Sequence, residues 1–230
     1  MDRNMTPVKP RRRYDSARRA EQARQTRNAI IDTARQLFLR DGFAGTTIAA
    51  IAAEARVSVE TIYKSFGGKP ALVRAICNAA LAGEGTVTAE ARSDQLQLRE
   101  PDPRKIIRGW GELTVEVAPR ISPIMLLVRS AAAADPEMAG LLAEVDAARL
   151  SRMTANASNL AASGHLRPDI TIDQAGEVMW MYSSPELYEL LVLKRGWPSG
   201  RYGAFIAEAM IAALLPPEPP AASHAAKRPG

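Results

Sequence analysis

The chain has 230 residues, of which 47% are hydrophobic and 5% aromatic, and it carries a formal net charge of +5. This length suits one large domain, or a small domain joined to a larger one. Abundant alanine and few aromatic side chains favour closely packed helices over a β-sandwich, so we expect an all-α fold.

A single cysteine and the absence of long apolar runs exclude several classes of protein. Cys77 cannot form an internal disulfide or a cysteine cluster for zinc or iron–sulfur. The N-terminus is basic but has no apolar segment of signal-peptide length, and no uninterrupted apolar stretch is long enough to span a membrane. We therefore expect a soluble cytoplasmic protein without metal, cofactor or membrane partner.

The positive charge is concentrated in the first third of the chain. Residues 1–75 hold fifteen Lys and Arg against seven Asp and Glu, whereas residues 76–230 hold fifteen against eighteen. A concentrated positive field attracts polyanions, so the N-terminal third is the candidate nucleic-acid contact surface. A solubilising tail is the alternative explanation for the basic run alone.

The first elements in chain order are a basic arm and a helix. Residues 1–17 contain two prolines and the run Arg11-Arg12-Arg13 with almost no apolar partners, which predicts a disordered arm. From Arg18, apolar residues recur at helical spacing and predict a first helix. That helix is predicted to end at Asp41-Gly42, because glycine accepts the left-handed conformation after a last turn.

Two shorter helices are predicted next, each with a hydroxyl residue at its start. Thr46 or Thr47 is expected to cap the second helix, and Ser58 the third, since their oxygens accept free N–H groups of a first turn. The second helix is expected to bury Ile48, Ile51, Ala52 and Ala55, and the third to turn inward Val59, Ile62 and Phe66. The third helix then exposes Glu60, Thr61, Tyr63 and Lys64.

A helix, a tight turn and a second short helix within about twenty residues is the helix-turn-helix layout, whose second helix lies in the major groove of DNA. Tyrosine, threonine and lysine on such a helix can donate hydrogen bonds to phosphates or to base edges. The segment from 46 to 69 is therefore predicted to bind double-stranded DNA.

The stretch GFAGTTIAAIAAEARVSVETIYKSFGGKPALVRAI, residues 42–76, resembles the DNA-binding domain of the tetracycline repressor (TetR) family. The resemblance implies a helix-turn-helix DNA-binding domain over 18–66 and a larger helical domain over 67–215 that binds a small-molecule effector and forms a homodimer. It also implies transcriptional repression of a palindromic operator, relieved by the ligand.

The same resemblance implies which residues contact DNA: Thr47, Ser58, Val59, Glu60, Thr61, Tyr63, Lys64, Ser65 and Lys69. Val57, Ile62 and Phe66 are assigned to packing, and a half-buried ring is the alternative for Tyr63. The arm, together with Arg18, Arg19, Arg24 and Arg27, is hypothesised to lie along flanking phosphates or in the minor groove.

Two features depart from the family pattern. Arg56 stands where the family usually has a turn glycine, so a positive φ there would cost roughly 1 kcal/mol, and the turn is expected to be slightly altered. Ala49 and Ala50 replace residues that are often charged, which leaves the third helix as the main source of specificity.

Further helices are predicted in the remaining chain. Ser122-Pro123 and Asp135-Pro136 each pair a capping residue with a proline at the first helical position, which predicts two helix starts. The helix after Asp135 is expected to end at Gly164, and Thr171 with Gln174 predicts a capping box.

A cavity for a small, mostly apolar effector is expected among these helices, because methionine and aromatic residues commonly line such pockets. The candidates for its wall are Trp110, Leu113, Met125, Val128, Met153, Met179 and Tyr182. Ordinary core packing is the alternative for each of them.

The end of the chain also resembles family members whose last two helices form a dimer interface. The predicted face consists of Tyr202, Phe205, Ile206, Ala209, Met210 and Ala213. A dimer would place two reading helices about 34 Å apart, which suits a palindrome. Residues 216–230, rich in proline and alanine, are predicted to be a disordered tail.

Catalysis is not expected. His165 follows a predicted helix end and His224 lies in the tail, so neither supports a buried triad or a metal site. No phosphate loop or dinucleotide glycine pattern occurs. The alternatives to a ligand-responsive repressor are a DNA-binding activator and an architectural DNA-binding protein without an effector.

Overall fold

The computed structural model describes residues 11–83, 85 and 87–217, and the regular elements in those ranges are helical, which confirms the all-α class. In chain order they are α1 (Arg11–Gly45), α2 (Ile48–Glu54), α3 (Val59–Phe66), α4 (Lys69–Ala82), α5 (Ala89–Arg99), α6 (Pro103–Ala132), α7 (Pro136–Ala162), α8 (Ile172–Tyr182), α9 (Pro185–Tyr188), a π-helical turn (Glu189–Lys194) and α10 (Ser199–Leu214). None of these helices combines the length and the apolar character that a membrane span requires.

Helix α1 extends further towards the N-terminus than the sequence predicts. It already includes Arg11, so residues 11–17 are helical where a disordered arm was expected. The arginine, alanine and glutamine residues that continue into α1 are good helix formers, and they favour propagation of the helix in this direction. Residues 1–10 of the arm and 218–230 of the tail lie outside the described residues. The predicted stop is confirmed by Gly42, whose φ of 75° interrupts the helix.

The first hydrophobic core joins the N-terminal helices to α6 and α7. Its buried members come from six helices and include Ile30, Leu37, Phe38, Ile51, Ile62, Leu72, Val73, Ile76, Ile124, Met125, Val128, Met138 and Leu141. The packing is continuous across residue 66, where the sequence suggested a domain boundary. Helix α4 belongs to the same core because its apolar side chains face α1 and α6.

The second hydrophobic core lies among α6, α7, α8, α9 and α10. Helices α6 and α10 cross at two glycines, Gly111 and Gly203. A Cβ at Gly203 would lie 2.5 Å from the Gly111 carbonyl oxygen, so neither position has room for a side chain. This close approach fixes α10 against the N-terminal half of α6.

The two Ser/Asp-Pro signals have different outcomes. Asp135 caps α7 by accepting from the N–H groups of Glu137 and Met138, as predicted. Ser122-Pro123, in contrast, lies inside α6, together with Pro119, so the predicted helix start there is wrong. An interior proline costs about 3 kcal/mol, and buried apolar side chains on both sides of this point offset it. The capping box of Thr171 and Gln174 is confirmed.

Candidate nucleic-acid interface

The candidate interface is formed by α2 and α3, and hydroxyl caps fix the start of each helix. Thr47 caps α2, since its Oγ1 accepts from the Ala50 N–H at 3.1 Å. Thr46 is instead buried and donates to the carbonyl oxygen of Gly42 at 2.8 Å. Ser58 caps α3 by accepting from the Thr61 N–H at 3.1 Å, and its hydroxyl lies 2.8 Å from that of Thr61.

The turn between the two helices contains Arg56 at a φ of 55°. Among the described residues it is the one non-glycine residue with positive φ. Arg56 thus adopts the backbone conformation that glycine favours and carries the strain of a Cβ in it. The slight alteration of the turn stays a prediction.

Helix α3 packs through a single fully buried side chain. Ile62 is 0% exposed, and Val57 and Phe66 pack partly buried against the first core, as predicted. The opposite face presents Tyr63, which is 52% exposed, so about half of its surface remains accessible to a partner. Glu60, Lys64 and Ser65 are exposed beside it.

Val59 was predicted both to turn inward and to contact DNA, and the structure separates the two expectations. Its side chain is 41% exposed, so the inward prediction is wrong. Val59 occupies the first turn of α3, directly after the cap, where the helix has not yet reached the core. It therefore contributes apolar surface to the exposed face.

Lys69, predicted to contact phosphate from the start of α4, is bound within the protein. Its Nζ donates to the Phe43 carbonyl oxygen at 2.6 Å and lies 4.2 Å from the centre of the Phe43 ring. Partial burial lowers the pKa of its ammonium group below the usual lysine value. The geometry thus gives Lys69 a contact that joins the start of α4 to the end of α1.

Arg27, predicted to lie along flanking phosphates, also has a partner in the protein. Its Nη1 donates to the Ser65 carbonyl oxygen at 2.9 Å, and its guanidinium stacks 4.2 Å from the centre of the Phe66 ring. Arg24, one turn earlier, pairs with Glu21 on the same helix. Sequence reasoning missed the Arg27 contact because the two partners are 38 residues apart.

Helix α3 is exposed, carries hydroxyl, aromatic and basic groups, and follows a capped helix and a tight turn. This arrangement is that of the helix-turn-helix class of DNA-binding proteins. Residues 30–76 match the family model described as bacterial regulatory proteins, tetR family. This N-terminal segment is therefore similar to the corresponding segment of tetR-family regulators.

Relatives agree with this assignment. The chain is 34% identical over 71 residues to the uncharacterized HTH-type transcriptional regulator YvkB of Bacillus subtilis, a match that covers 31% of this chain and 38% of YvkB. Two solved structures share the fold over most of both chains. They are the SmeT–triclosan complex (TM-score 0.66, 18% identity, covering 84% of this chain and 93% of SmeT) and NalD, the secondary repressor of the MexAB-OprM efflux pump in Pseudomonas aeruginosa (TM-score 0.64, 19% identity, covering 85% and 98%).

The seven residues predicted to line an effector cavity are not all brought together. Met125 and Val128 belong to the first core. The second core contains Trp110, Leu113, Met153, Met179 and Tyr182. Trp110 is 6% exposed, and its indole Nε1 is buried without a hydrogen-bond partner. A surface groove of about 520 Å³ beside α8 contains none of the seven.

The predicted dimer face is also divided. Tyr202, Ile206 and Met210 are buried in the second core of their own chain, so they cannot form an outer face. The reason is the close crossing of α6 and α10, which turns this side of α10 inward. The side of α10 that remains outside presents Phe205, and the preceding π-helical turn exposes Leu190 and Leu193.

Replacing Lys69 by alanine should destabilise the fold, whereas the same change at exposed Lys64 should not. Lys69→Ala removes a charge-assisted hydrogen bond and a cation–π contact, so we expect the free energy of unfolding to fall by about 1–2 kcal/mol. Lys64→Ala removes an identical, exposed side chain and should change it by less than about 0.5 kcal/mol. Urea denaturation followed by circular dichroism measures both, and equal effects would contradict the structural role of Lys69.

Proposed function

We propose that the chain is a ligand-responsive transcriptional repressor that binds a palindromic DNA operator as a homodimer. The observation that carries the proposal is the exposed face of α3. Tyr63 and Lys64 are both exposed there, on a helix that Ser58 caps after a tight turn. A helix of this kind fits the major groove, which is wide enough to admit it. Repression itself is suggested by NalD, a repressor with the same fold.

The chemistry of the α3 face suits both base reading and phosphate contact. Val59 offers apolar surface to a thymine methyl group, and the Glu60 carboxylate can accept from cytosine N4. The hydroxyl of Tyr63 and the ammonium of Lys64 are donors for base edges or phosphates. Thr47 uses an oxygen lone pair as a helix cap, which leaves its O–H group able to donate. The Ser58 and Thr61 hydroxyls share one hydrogen bond, which leaves one of their two O–H groups able to donate.

Substitutions on this face should weaken DNA binding in two distinguishable ways. With a duplex selected by the full-length protein from a randomised pool, Tyr63→Ala should lower specific affinity by about 1–3 kcal/mol, because a base-reading contact is lost. Lys64→Ala should weaken binding to all sequences and reduce the slope of log affinity against log salt concentration by about one.

Fluorescence anisotropy over a salt series measures these effects. Lys105→Ala is the matched control, since Lys105 is an exposed lysine on α6, far from α3 along the chain. Retention of full specific affinity by the Tyr63 and Lys64 variants would refute the assignment of the interface.

We propose further that two copies associate through the exposed apolar surface formed by the π-helical turn and α10. Leu190 and Leu193 are 50% and 53% exposed, and Phe205 is 41% exposed on the neighbouring helix. Trp197 packs edge-on against Phe205 with ring centres 5.6 Å apart, so the aromatic pair is preformed. Clustered apolar surface of this kind is typical of an interface between chains.

A charge placed in this surface should separate the copies. Leu193→Glu puts a carboxylate in an apolar contact that repeats by symmetry, so we expect a monomer at concentrations where the unaltered chain is a dimer. Leu98→Glu on α5 is the control, because Leu98 is 86% exposed and lies outside this surface. Analytical ultracentrifugation distinguishes the two, and an unchanged dimer with Leu193→Glu would disprove the proposed interface.

The proposed effector site lies in the second core, around Trp110. Its buried indole N–H has no acceptor in the described structure, and a buried donor without a partner costs about 1–3 kcal/mol. An uncharged, mostly apolar ligand with a hydrogen-bond acceptor would satisfy it and contact the neighbouring Leu113, Met153, Met179 and Tyr182. SmeT, which has the same fold, was solved with triclosan bound.

Screening the protein on its selected duplex against a panel of apolar compounds, with triclosan included, tests this site. We expect at least one compound to lower duplex affinity, and Trp110→Phe to weaken its effect by about tenfold through loss of one hydrogen bond. Trp180→Phe is the control, since Trp180 stacks against Arg149 and is not a member of the second core. A compound whose effect is equally strong on both variants would exclude Trp110 from the site. If no compound acts, an architectural DNA-binding protein without effector becomes the better description.

A further inference from the structure

We infer that Arg27 is a positioning residue for DNA recognition: from α1 it holds the C-terminal end of α3 in place, and its contribution to specificity comes from this contact. The inference rests on the proposed DNA-binding function and assigns Arg27 a role different from a phosphate contact. We call its hydrogen bond to Ser65 and its stacking on Phe66 the Arg27 clamp.

Helix α3 needs such a contact because its own packing is sparse. It is eight residues long, and Ile62 is its one fully buried side chain. A short helix with one fully buried and one partly buried apolar side chain gains little stability from packing, so further contacts matter for its orientation. Its start is fixed by the Ser58 cap and the turn, whereas its end leads into Gly67 and Gly68, which impose little restriction on the backbone.

The Arg27 clamp acts at that loosely held end. The last carbonyl groups of a helix have no partners within the helix. Gly67 donates to the carbonyl oxygen of Tyr63, and Arg27 donates to that of Ser65. A positive charge at a helix C-terminus is also favoured by the helix dipole. One side chain of α1 thus satisfies an unpaired carbonyl and complements the charge at this end of α3.

The stacking on Phe66 gives Arg27 a second contact with the end of α3. The guanidinium lies 4.2 Å from the ring centre, within the range of a cation–π contact, and Phe66 itself packs against the first core. Arg27 therefore touches both the backbone and the anchoring side chain at the end of α3. A rotation of α3 that moves Tyr63 and Lys64 in the groove would break both contacts together.

A positioning role and a phosphate contact predict different binding data. Loss of a phosphate contact weakens specific and non-specific binding alike and lowers the salt slope by about one. Loss of a positioning contact misaligns the base-reading side chains, so it weakens binding to the selected duplex and affects poly(dI-dC) much less. The salt slope then stays near its original value.

The experiment compares Arg27→Ala with Arg40→Ala in the full-length protein by fluorescence anisotropy over a salt series. Arg40 is the matched control because it is an exposed arginine of α1 whose side chain pairs with Asp41 on α1 itself. We expect Arg27→Ala to lower the ratio of specific to non-specific affinity about tenfold with an unchanged salt slope. Arg40→Ala should leave that ratio unchanged. A parallel loss on both duplexes with a reduced slope would overturn the inference and make Arg27 a phosphate contact.

A second pair of variants tests the clamp itself. Phe66→Leu keeps an apolar side chain and removes the aromatic face, and Arg27→Ala removes the guanidinium that stacks on it. If the contacts form one unit, combining Arg27→Ala with Phe66→Leu should weaken specific binding by less than the product of the two single effects. Independent, multiplicative effects would contradict the clamp.

Hydrogen–deuterium exchange separates a failure of this inference from a failure of the proposed function. Arg27→Ala should raise the exchange rates of amides near the end of α3 about tenfold and leave those in the middle of α1 unchanged, with or without DNA. If the unaltered protein prefers no duplex, the proposed function fails, and exchange still decides whether Arg27 holds α3. Unchanged exchange in α3 would overturn the inference whatever the DNA data show.

Discussion

The presentation of α3 depends on Ile62, because this is the one side chain of the helix that is completely buried. The core that receives it is not built by the three N-terminal helices alone. Side chains of α4, α6 and α7 complete it, among them Ile124, Val128 and Met138. The exposed face of α3 is consequently fixed to the rest of the molecule through shared packing, and residues beyond 66 help to set its orientation.

Polar contacts with aromatic rings complement this packing at the ends of the helices. Arg27 and Lys69 have the same arrangement, in which a cation donates to a carbonyl oxygen near a helix end and lies over a phenylalanine ring. The N-terminal helices are rich in alanine, which buries little apolar area per residue. Charged side chains with long apolar stems therefore contribute packing that alanine cannot, while their heads satisfy carbonyl groups.

Features determined by neighbours in the sequence were predictable, and features determined by distant partners were not. The caps of Thr47, Ser58 and Asp135 follow from local chemistry and were anticipated. Pro123 shows the limit of local signals. A capping residue followed by proline starts a helix at Pro136, whereas the same pattern at Ser122-Pro123 lies inside α6, where packing on both sides maintains the helix. The partners of Lys69 and Arg27 are 26 and 38 residues away, and no periodicity of the sequence encodes such pairs.

The sequence also misplaced the outer face of α10, for a related reason. Apolar residues at three- and four-residue spacing define a stripe on a helix but do not show whether the stripe faces its own chain or another. Here Gly111 and Gly203 determine which way the stripe faces, because they let α10 approach α6 closely enough to bury Tyr202 and Ile206 within one chain. The exposed remainder, with Leu190, Leu193 and Phe205, is smaller and shifted towards the π-helical turn.

Helix α6 is the element that makes communication between the two cores physically possible. Trp110 and Ala118 lie in the second core and Met125 in the first, and fifteen residues of helix between Trp110 and Met125 span about 22 Å. Pro119 and Pro123 lie between the two cores, at positions where a helix lacks backbone hydrogen bonds and bends most easily. A ligand in the second core changes DNA affinity only if it binds two arrangements of the protein unequally. A change in the bend of α6 would meet that condition, because it would displace Ile124, Met125 and Val128 in the first core. The same core holds Ile62, so the displacement would also move the exposed face of α3.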